Sequence, residues 1–171
     1  MEINKRRSLI ISSFIVSLII IIGLFIARRY LVTFKMSGIS MQPAFSEGDI
    51  LLVHKTKDIK AGDIIVYTTK DSEGYIIKRV IAVPNQTVSI EDDDIIYIDG
   101  DIYESDYIYI DTENESYAGG MSYQLSDNEY FTLGDNLHHS IDSRTMGAVS
   151  SDRIVGKVVF NFAEIIKSFK K

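Results

Sequence analysis

The sequence predicts a mostly β domain carried behind a single membrane-spanning helix. Positions 8–27 form a near-continuous apolar run with no charge, long enough to cross a bilayer, which takes about 20 residues. Beyond it, short apolar runs alternate with clusters of Gly, Asp, Asn and Pro, the pattern of many short strands joined by turns. Composition agrees: the chain holds 10 Tyr and 8 Phe and is rich in Ile and Val, side chains that suit a pleated, half-buried surface.

The elements follow in order. Met1–Arg7 is a short segment ending in Lys5, Arg6 and Arg7. Ser8–Ala27 is the spanning run, interrupted only by Ser12, Ser13, Ser17 and Gly23 and closed by Arg28 and Arg29. A cleaved signal peptide has a shorter apolar region and a small-x-small site after it. Here the run is longer and Arg28-Arg29-Tyr30-Leu31 follows, so it reads as a retained anchor. Three basic residues precede the span and two follow it; the positive-inside rule then favours a cytoplasmic N-terminus by a margin of one charge.

From residue 30 to the end the helical period is lost. Leu31 to Met36 alternate as a strand leading to Ser40, and Ile50–His54 is a short apolar strand after the turn Ser46–Asp49. Asp58–Gly62 is a turn, Asp63–Thr68 a strand and Asp71–Gly74 a hairpin turn. Tyr75–Val83 is the longest strand, ended by Pro84-Asn85. Thr87–Ile90, Ile95–Ile98 and Ile102-Tyr103 are short strands, with a turn at Asp99-Gly100. Asp106–Gly120, acidic and rich in Tyr and Gly, reads as an exposed excursion. Glu129–Leu133 runs into Gly134-Asp135-Asn136, Ile154–Phe162 is the last strand, and Ala163–Lys171 a basic tail.

Several function classes drop out early. There are no cysteines, hence no disulfide framework and no cysteine-based zinc site. The net charge is −6 and the basic residues after the first thirty positions are dispersed, which excludes a nucleic-acid footprint. With only two prolines and no polar repeat, the chain is not a disordered one.

Three stretches carry chemistry. In Ser37-Gly38-Ile39-Ser40-Met41-Gln42-Pro43, glycine and proline suit a rigid turn that holds the Ser40 hydroxyl in place. In Tyr75–Val83, Lys78 shares a strand face with Ile76, Val80 and Ala82, because side chains alternate. A lysine on an apolar face loses solvation, which lowers its pKa, and a neutral amine can take the proton of a serine hydroxyl. Lys78 is thus a candidate general base for Ser40, with a snorkelling strand-edge lysine as the bland reading. In Gly134–Arg144, a Gly-Asp-Asn turn leads into Ser140, Asp142 and Arg144 at period two, where an Asp and an Arg can pair and fix a loop.

Taken together, these stretches resemble the bacterial type I signal peptidases. That family has an N-terminal anchor, then Ser-Met-x-Pro, Lys-Arg on a strand, and Gly-Asp-Asn-x-x-x-Ser-x-Asp-Ser-Arg. Here they stand in the same order as Ser40-Met41-Gln42-Pro43, Lys78-Arg79 and Gly134 through Arg144, with a weaker element at Gly62-Asp63-Ile64-Ile65. The resemblance implies a signal-peptidase-like β domain whose Ser40 is the nucleophile and Lys78 the general base. It implies that Ser140 hydrogen-bonds and orients the Lys78 amine, that Asp142 and Arg144 support the site, and that the Ser40 N–H serves the oxyanion. It places Phe34, Met36 and Ile77 in small apolar pockets for the residues before the cut, hence a preference for Ala-x-Ala. No cofactor or metal is implied. The implied partners are signal-peptide-bearing preproteins and membrane lipid, with pilin-like or surface proteins as a narrower set. The implied location is the cell membrane, single-pass, with residues 30–171 a catalytic domain on the extracytoplasmic face. Three departures stand beside the site: Gly38 where many members add a hydroxyl donor, as in Gram-positive relatives, Ala44 for Thr, and Asn85-Gln86 for Gly-Asp.

Two other readings stay open on the sequence. A Ser-His-Asp hydrolase would use His138 or His139 with Asp135 or Asp142, although no Gly-x-Ser-x-Gly elbow is present and adjacent side chains point opposite ways on an extended chain. A non-enzymatic, membrane-anchored β domain would help assemble a surface structure such as a pilus, using the acidic segment 101–120 as a partner surface. Retention of both Ser40 and Lys78 argues against the second.

Overall fold

The computed structural model describes residues 2–69, 74–91, 95–107 and 120–163. Most of the turn expected at Asp71–Gly74, most of the excursion expected at Asp106–Gly120 and the tail after Ala163 lie outside the described residues. The chain divides into two compact units, Met1–Val32 and Thr33–Lys171.

The first unit is essentially one helix, α1 (Glu2–Tyr30, 29 residues). It outruns the apolar stretch at both ends and takes in the flanking basic residues. Arg28 and Arg29 occupy its last turn, where cations meet the negative end of the helix dipole. Within it, the 21 residues Ile10–Tyr30 are long and apolar enough to cross a membrane, about 30 Å of helix, the thickness of a bilayer core.

The second unit is built from strands β1 (Leu31–Lys35, which starts at the boundary), β2 (Ile50–His54), β3 (Ile64–Thr68), β4 (Tyr75–Ala82), β5 (Thr87–Ile90), β6 (Ile96–Ile98), β7 (Asp101–Ile102), β8 (Met121–Gln124), β9 (Glu129–Leu133), β10 (Val149–Ser150) and β11 (Ile154–Asn161), with a one-turn helix α2 (Ser143–Met146). They form a seven-stranded sheet in the order β1-β2-β11-β3-β4-β9-β10 and a four-stranded sheet in the order β7-β6-β5-β8. The strands read from sequence are present within a residue or two. β8, β10 and α2 are additions. Met121-Ser122-Tyr123-Gln124 does alternate apolar and polar, the signal that would have revealed β8.

β4 is the strand that positions the site. It is buried on both faces from Ile77 onward, because β3 lies on one side, β9 on the other, and apolar clusters cover each face. Val80 packs with Ile65, Tyr67 and Ile154. Its neighbour Ile81 packs with Val88, Ile90 and Leu133 on the other side, as alternation requires. One expectation fails here. Ala82 does not share the face of Val80 and Lys78 but joins the cluster of Ile81. The register between β4 and β9 shifts between Val80 and Ala82, and an extra residue in a strand inverts the alternation beyond it.

Candidate active site

Ser40 sits in a tight loop whose backbone is tied down on every side. Gly38 adopts φ +79, a conformation that costs a residue with a Cβ but not glycine. Before the loop, Met36 N–H donates to Asp49 C=O at 2.8 Å and Met36 C=O accepts Gly48 N–H at 2.9 Å. After it, Met41 is fully buried and its carbonyl accepts Phe45 N–H at 2.8 Å. The Ser40 carbonyl accepts Asn136 N–H at 3.0 Å, which joins the first stretch to the third.

Lys78 reaches this loop from β4. It is 5 % exposed, and its Nζ donates to Ser40 Oγ at 2.7 Å. Burial is the largest influence on the amine and lowers its pKa from 10.5 to about 8. Asp142 pulls the pKa up, Arg144 opposes it, and Asp135 pulls it up more weakly. An isolated amine in this setting shifts toward its neutral form, so a fraction of Lys78 is a free base near neutral pH.

The third stretch forms the remaining wall. Arg144 grips Asp142 in two bonds, Nε to Oδ1 at 2.9 Å and Nη2 to Oδ2 at 3.0 Å. The same guanidinium donates to the carbonyls of Leu137 at 2.6 Å and Ser140 at 3.4 Å. Asp142 accepts Gly134 N–H at 3.1 Å and caps α2 by accepting Arg144 N–H. The pair therefore closes residues 134–144 on themselves. A second buried pair ties this loop to β4: Arg79 Nε and Nη2 donate to Asp135 Oδ1 and Oδ2 at 2.7 and 2.6 Å. Such bidentate pairs fix orientation as well as distance.

Ser140 differs from expectation. Its Oγ is buried with no hydrogen-bond partner, so it does not orient the Lys78 amine in this state. The amine is engaged by Ser40 Oγ, while Ser140 lies against Gly134. A Cβ built on Gly134 collides with Ser140 Oγ and would lie 2.5 Å from the Ser40 carbonyl oxygen. Position 134 thus admits only glycine without moving one of the two serines.

A cavity of about 680 Å³ opens onto Ser40 and Lys78. The expected pocket residues Phe34, Met36 and Ile77 all line it. Tyr75, His139 and Ile141 line it too, none of them among the expected pocket residues. Tyr75 and Phe34 meet edge to face with centroids 4.9 Å apart, a favourable geometry for two rings. Tyr75 could have been found from its place two residues before Ile77, on the same strand face. The histidine triad is not assembled: Ser40 Oγ bonds to Lys78 Nζ, and no hydrogen bond joins it to a histidine among the described residues.

This geometry has counterparts in known proteins. The model of the family described as Signal peptidase, peptidase S26 matches residues 7–163. The chain belongs to that family. Among its relatives, Signal peptidase I of Bacillus licheniformis is 31% identical, with 96% of each chain covered. Signal peptidase I T of Bacillus subtilis is 33% identical over 86% of this chain and 79% of that one. Signal peptidase IB of Staphylococcus aureus is 31% identical over 81% and 82%. The crystal structure of a signal peptidase I from Enterococcus faecalis superposes with a TM-score of 0.53 and 28% identity, covering 60% of this chain and 97% of that one. The protein is accordingly a serine peptidase of the S26 family with a mostly β fold.

Proposed function

We propose that this protein is a membrane-anchored endopeptidase that removes signal peptides from exported preproteins, with Ser40 as nucleophile and Lys78 as general base. The observation that carries the assignment of residues is the 2.7 Å contact between a serine hydroxyl and a buried lysine amine whose pKa burial has brought down to about 8. In its neutral form the amine accepts the Ser40 proton as Oγ attacks the scissile carbonyl carbon. Negative charge then gathers on the carbonyl oxygen, where the Ser40 N–H donates. The Lys78 ammonium returns its proton to the leaving amine, the C–N bond breaks, and an acyl ester on Ser40 remains. A water molecule, deprotonated by Lys78, hydrolyses the ester and restores the enzyme. Asp142 and Arg144 hold the loop that faces this dyad. Ser140, whose hydroxyl is unengaged, turns to the Lys78 amine once Ser40 has been acylated and no longer holds it.

The topology supports an extended substrate. Among the described residues β4 pairs with β9 only from Arg79 onward, which leaves that edge of Tyr75–Lys78 open, and β1 ends the large sheet. Both edges border the cavity, and an extended peptide satisfies such edges by adding a strand. The residues before the cut run back from Ser40 past Met36 and Ile77, whose apolar side chains suit small residues, as in Ala-x-Ala.

Residues 8–27 anchor the chain, residues 1–7 remain cytoplasmic, and residues 30–171 work on the outer face. The bond to be cut lies just outside the bilayer, so a tethered site meets it at high effective concentration. A dedicated role with pilin-like substrates has no observation in its favour. The test is incubation of the detergent-solubilised protein with a preprotein carrying Ala-x-Ala, followed by mass spectrometry of the product. A new N-terminus directly after the second Ala is expected. An intact preprotein, or cleavage elsewhere, contradicts the proposal.

A further inference from the structure

The loop carrying Ser40 is held by contacts to both peptide groups that flank the Ser40 Cα. The group after it ends in the Ser40 carbonyl, which accepts Asn136 N–H at 3.0 Å. The group before it joins the Ile39 carbonyl to the Ser40 N–H. The Ile39 oxygen accepts Gln42 N–H at 3.1 Å and the Asn136 side-chain amide, Nδ2, at 3.4 Å. One residue therefore touches both planes. Peptide groups are rigid, so holding two consecutive planes fixes φ and ψ of the residue between them. For Ser40 that sets the direction of Oγ and of the N–H together. A carbonyl that accepts hydrogen bonds also polarises the N–H at the other end of its own peptide group, as members of hydrogen-bonded chains do.

Asn136 is itself well placed to act as a fixed point. Asp135, the preceding residue, is fully buried and held by two bonds from Arg79. Nor does Gly38 bring a hydroxyl to share the work of the Ser40 N–H. From these contacts we infer that Asn136 is a positioning residue: its side-chain amide, acting through the Ile39 carbonyl, aims the Ser40 N–H at the oxyanion. The inference rests on Ser40 being the nucleophile. Asn136 touches no reacting atom, so its effect belongs to the chemical step and not to substrate binding.

The experiment separates kcat from KM for wild type, Asn136→Ala and Asn136→Asp on an Ala-x-Ala preprotein, using the full chain in detergent. Asp keeps the shape of Asn but offers a carboxylate oxygen, not a donor, to the Ile39 oxygen. The expected loss in kcat is about three- to tenfold for Asn136→Ala, the range that one ordinary hydrogen bond spans. Asn136→Asp loses at least as much, and KM stays within about twofold in both. Wild-type kcat in Asn136→Asp overturns the inference, because shape and not donation would then be what matters. A raised KM at constant kcat overturns it as well, because Asn136 would then contact substrate. If Asn136→Ala does not fold, the isosteric Asn136→Asp decides the matter alone. Ser40→Ala is run alongside: if it cleaves like wild type, the serine assignment fails and takes this inference with it. If it is inert while Asn136→Asp matches wild type, only the inference fails.

Discussion

As the proposed general base, Lys78 is predicted to set the pH dependence of the enzyme. Only the neutral amine can take the Ser40 proton, so kcat/KM follows the fraction of Lys78 that is deprotonated in the free enzyme. Burial brings the pKa from 10.5 to about 8. The neutral fraction is then about 0.09 at pH 7 and about 0.9 at pH 9, a rise of roughly tenfold with an inflection near 8. A lysine left at its ordinary pKa would rise about a hundredfold over the same interval and show no plateau. The two curves differ in shape as well as size, so no absolute rate is needed. The assay is initial-rate cleavage of a labelled preprotein between pH 6 and 10 at substrate well below KM. The Asp142 carboxylate raises the Lys78 pKa, so Asp142→Asn moves the inflection to lower pH in whatever activity survives. A wild-type profile that still climbs with unit slope past pH 9.5, or one that inflects near 6.5 as a histidine would, refutes the assignment of Lys78 as base.

Three further outcomes follow from the same contacts. Gly134→Ala costs at least about a hundredfold in kcat/KM with the fold intact by circular dichroism, because the new methyl must displace Ser140 or the Ser40 backbone, and displacements near 1 Å have that effect. Lys78→Met removes an amine that is charged at a cost in the folded state. The folded amine binds fewer protons than the unfolded one between about pH 8 and 10.5, so the penalty is full below 8 and gone above 10.5; it amounts to about 3 kcal/mol at pH 7. In thermal unfolding the advantage of the variant over wild type therefore shrinks as pH rises through that window, and a constant difference would contradict the burial argument. Tyr75→Ala opens the ring contact with Phe34, three positions along β4 from Lys78. The ratio of kcat/KM for Leu over Ala at one of the residues before the cut then rises by up to about tenfold, the low end of what one methylene is worth in an apolar pocket. An unchanged ratio would show that the ring contact does not limit that position.

Much of the fold is legible where local pattern decides. β4 and β9 are apolar runs bounded by turn residues, and both appear where those signals place them. What fails depends on partners distant in sequence. The register shift that moves Ala82 to the other face is imposed by β9, and nothing within Tyr75–Val83 announces it. The division into two sheets is equally non-local, as is α2, a single turn held by Asp142. The site shows the same split. Ser40 and Lys78 stand 38 residues apart, and the three stretches that carry chemistry could be marked from their residue types and their order. The contacts of Asn136 with the Ser40 and Ile39 carbonyls could not, because they arise across the fold. Ser140 is the instructive difference: it stands in the third stretch as the resemblance requires, yet among the described residues its buried hydroxyl has no partner, a matter of side-chain placement that residue type and order do not encode.

The most direct test of the central claim compares wild type, Ser40→Ala, Lys78→Ala and His139→Ala on an Ala-x-Ala preprotein in detergent, each checked for folding by its melting temperature. Wild type and His139→Ala are predicted to cleave, and the Ser40 and Lys78 variants to be inert. Cleavage by folded Lys78→Ala at the wild-type rate, with His139→Ala inert, would contradict the Ser40–Lys78 dyad and return the histidine to the mechanism.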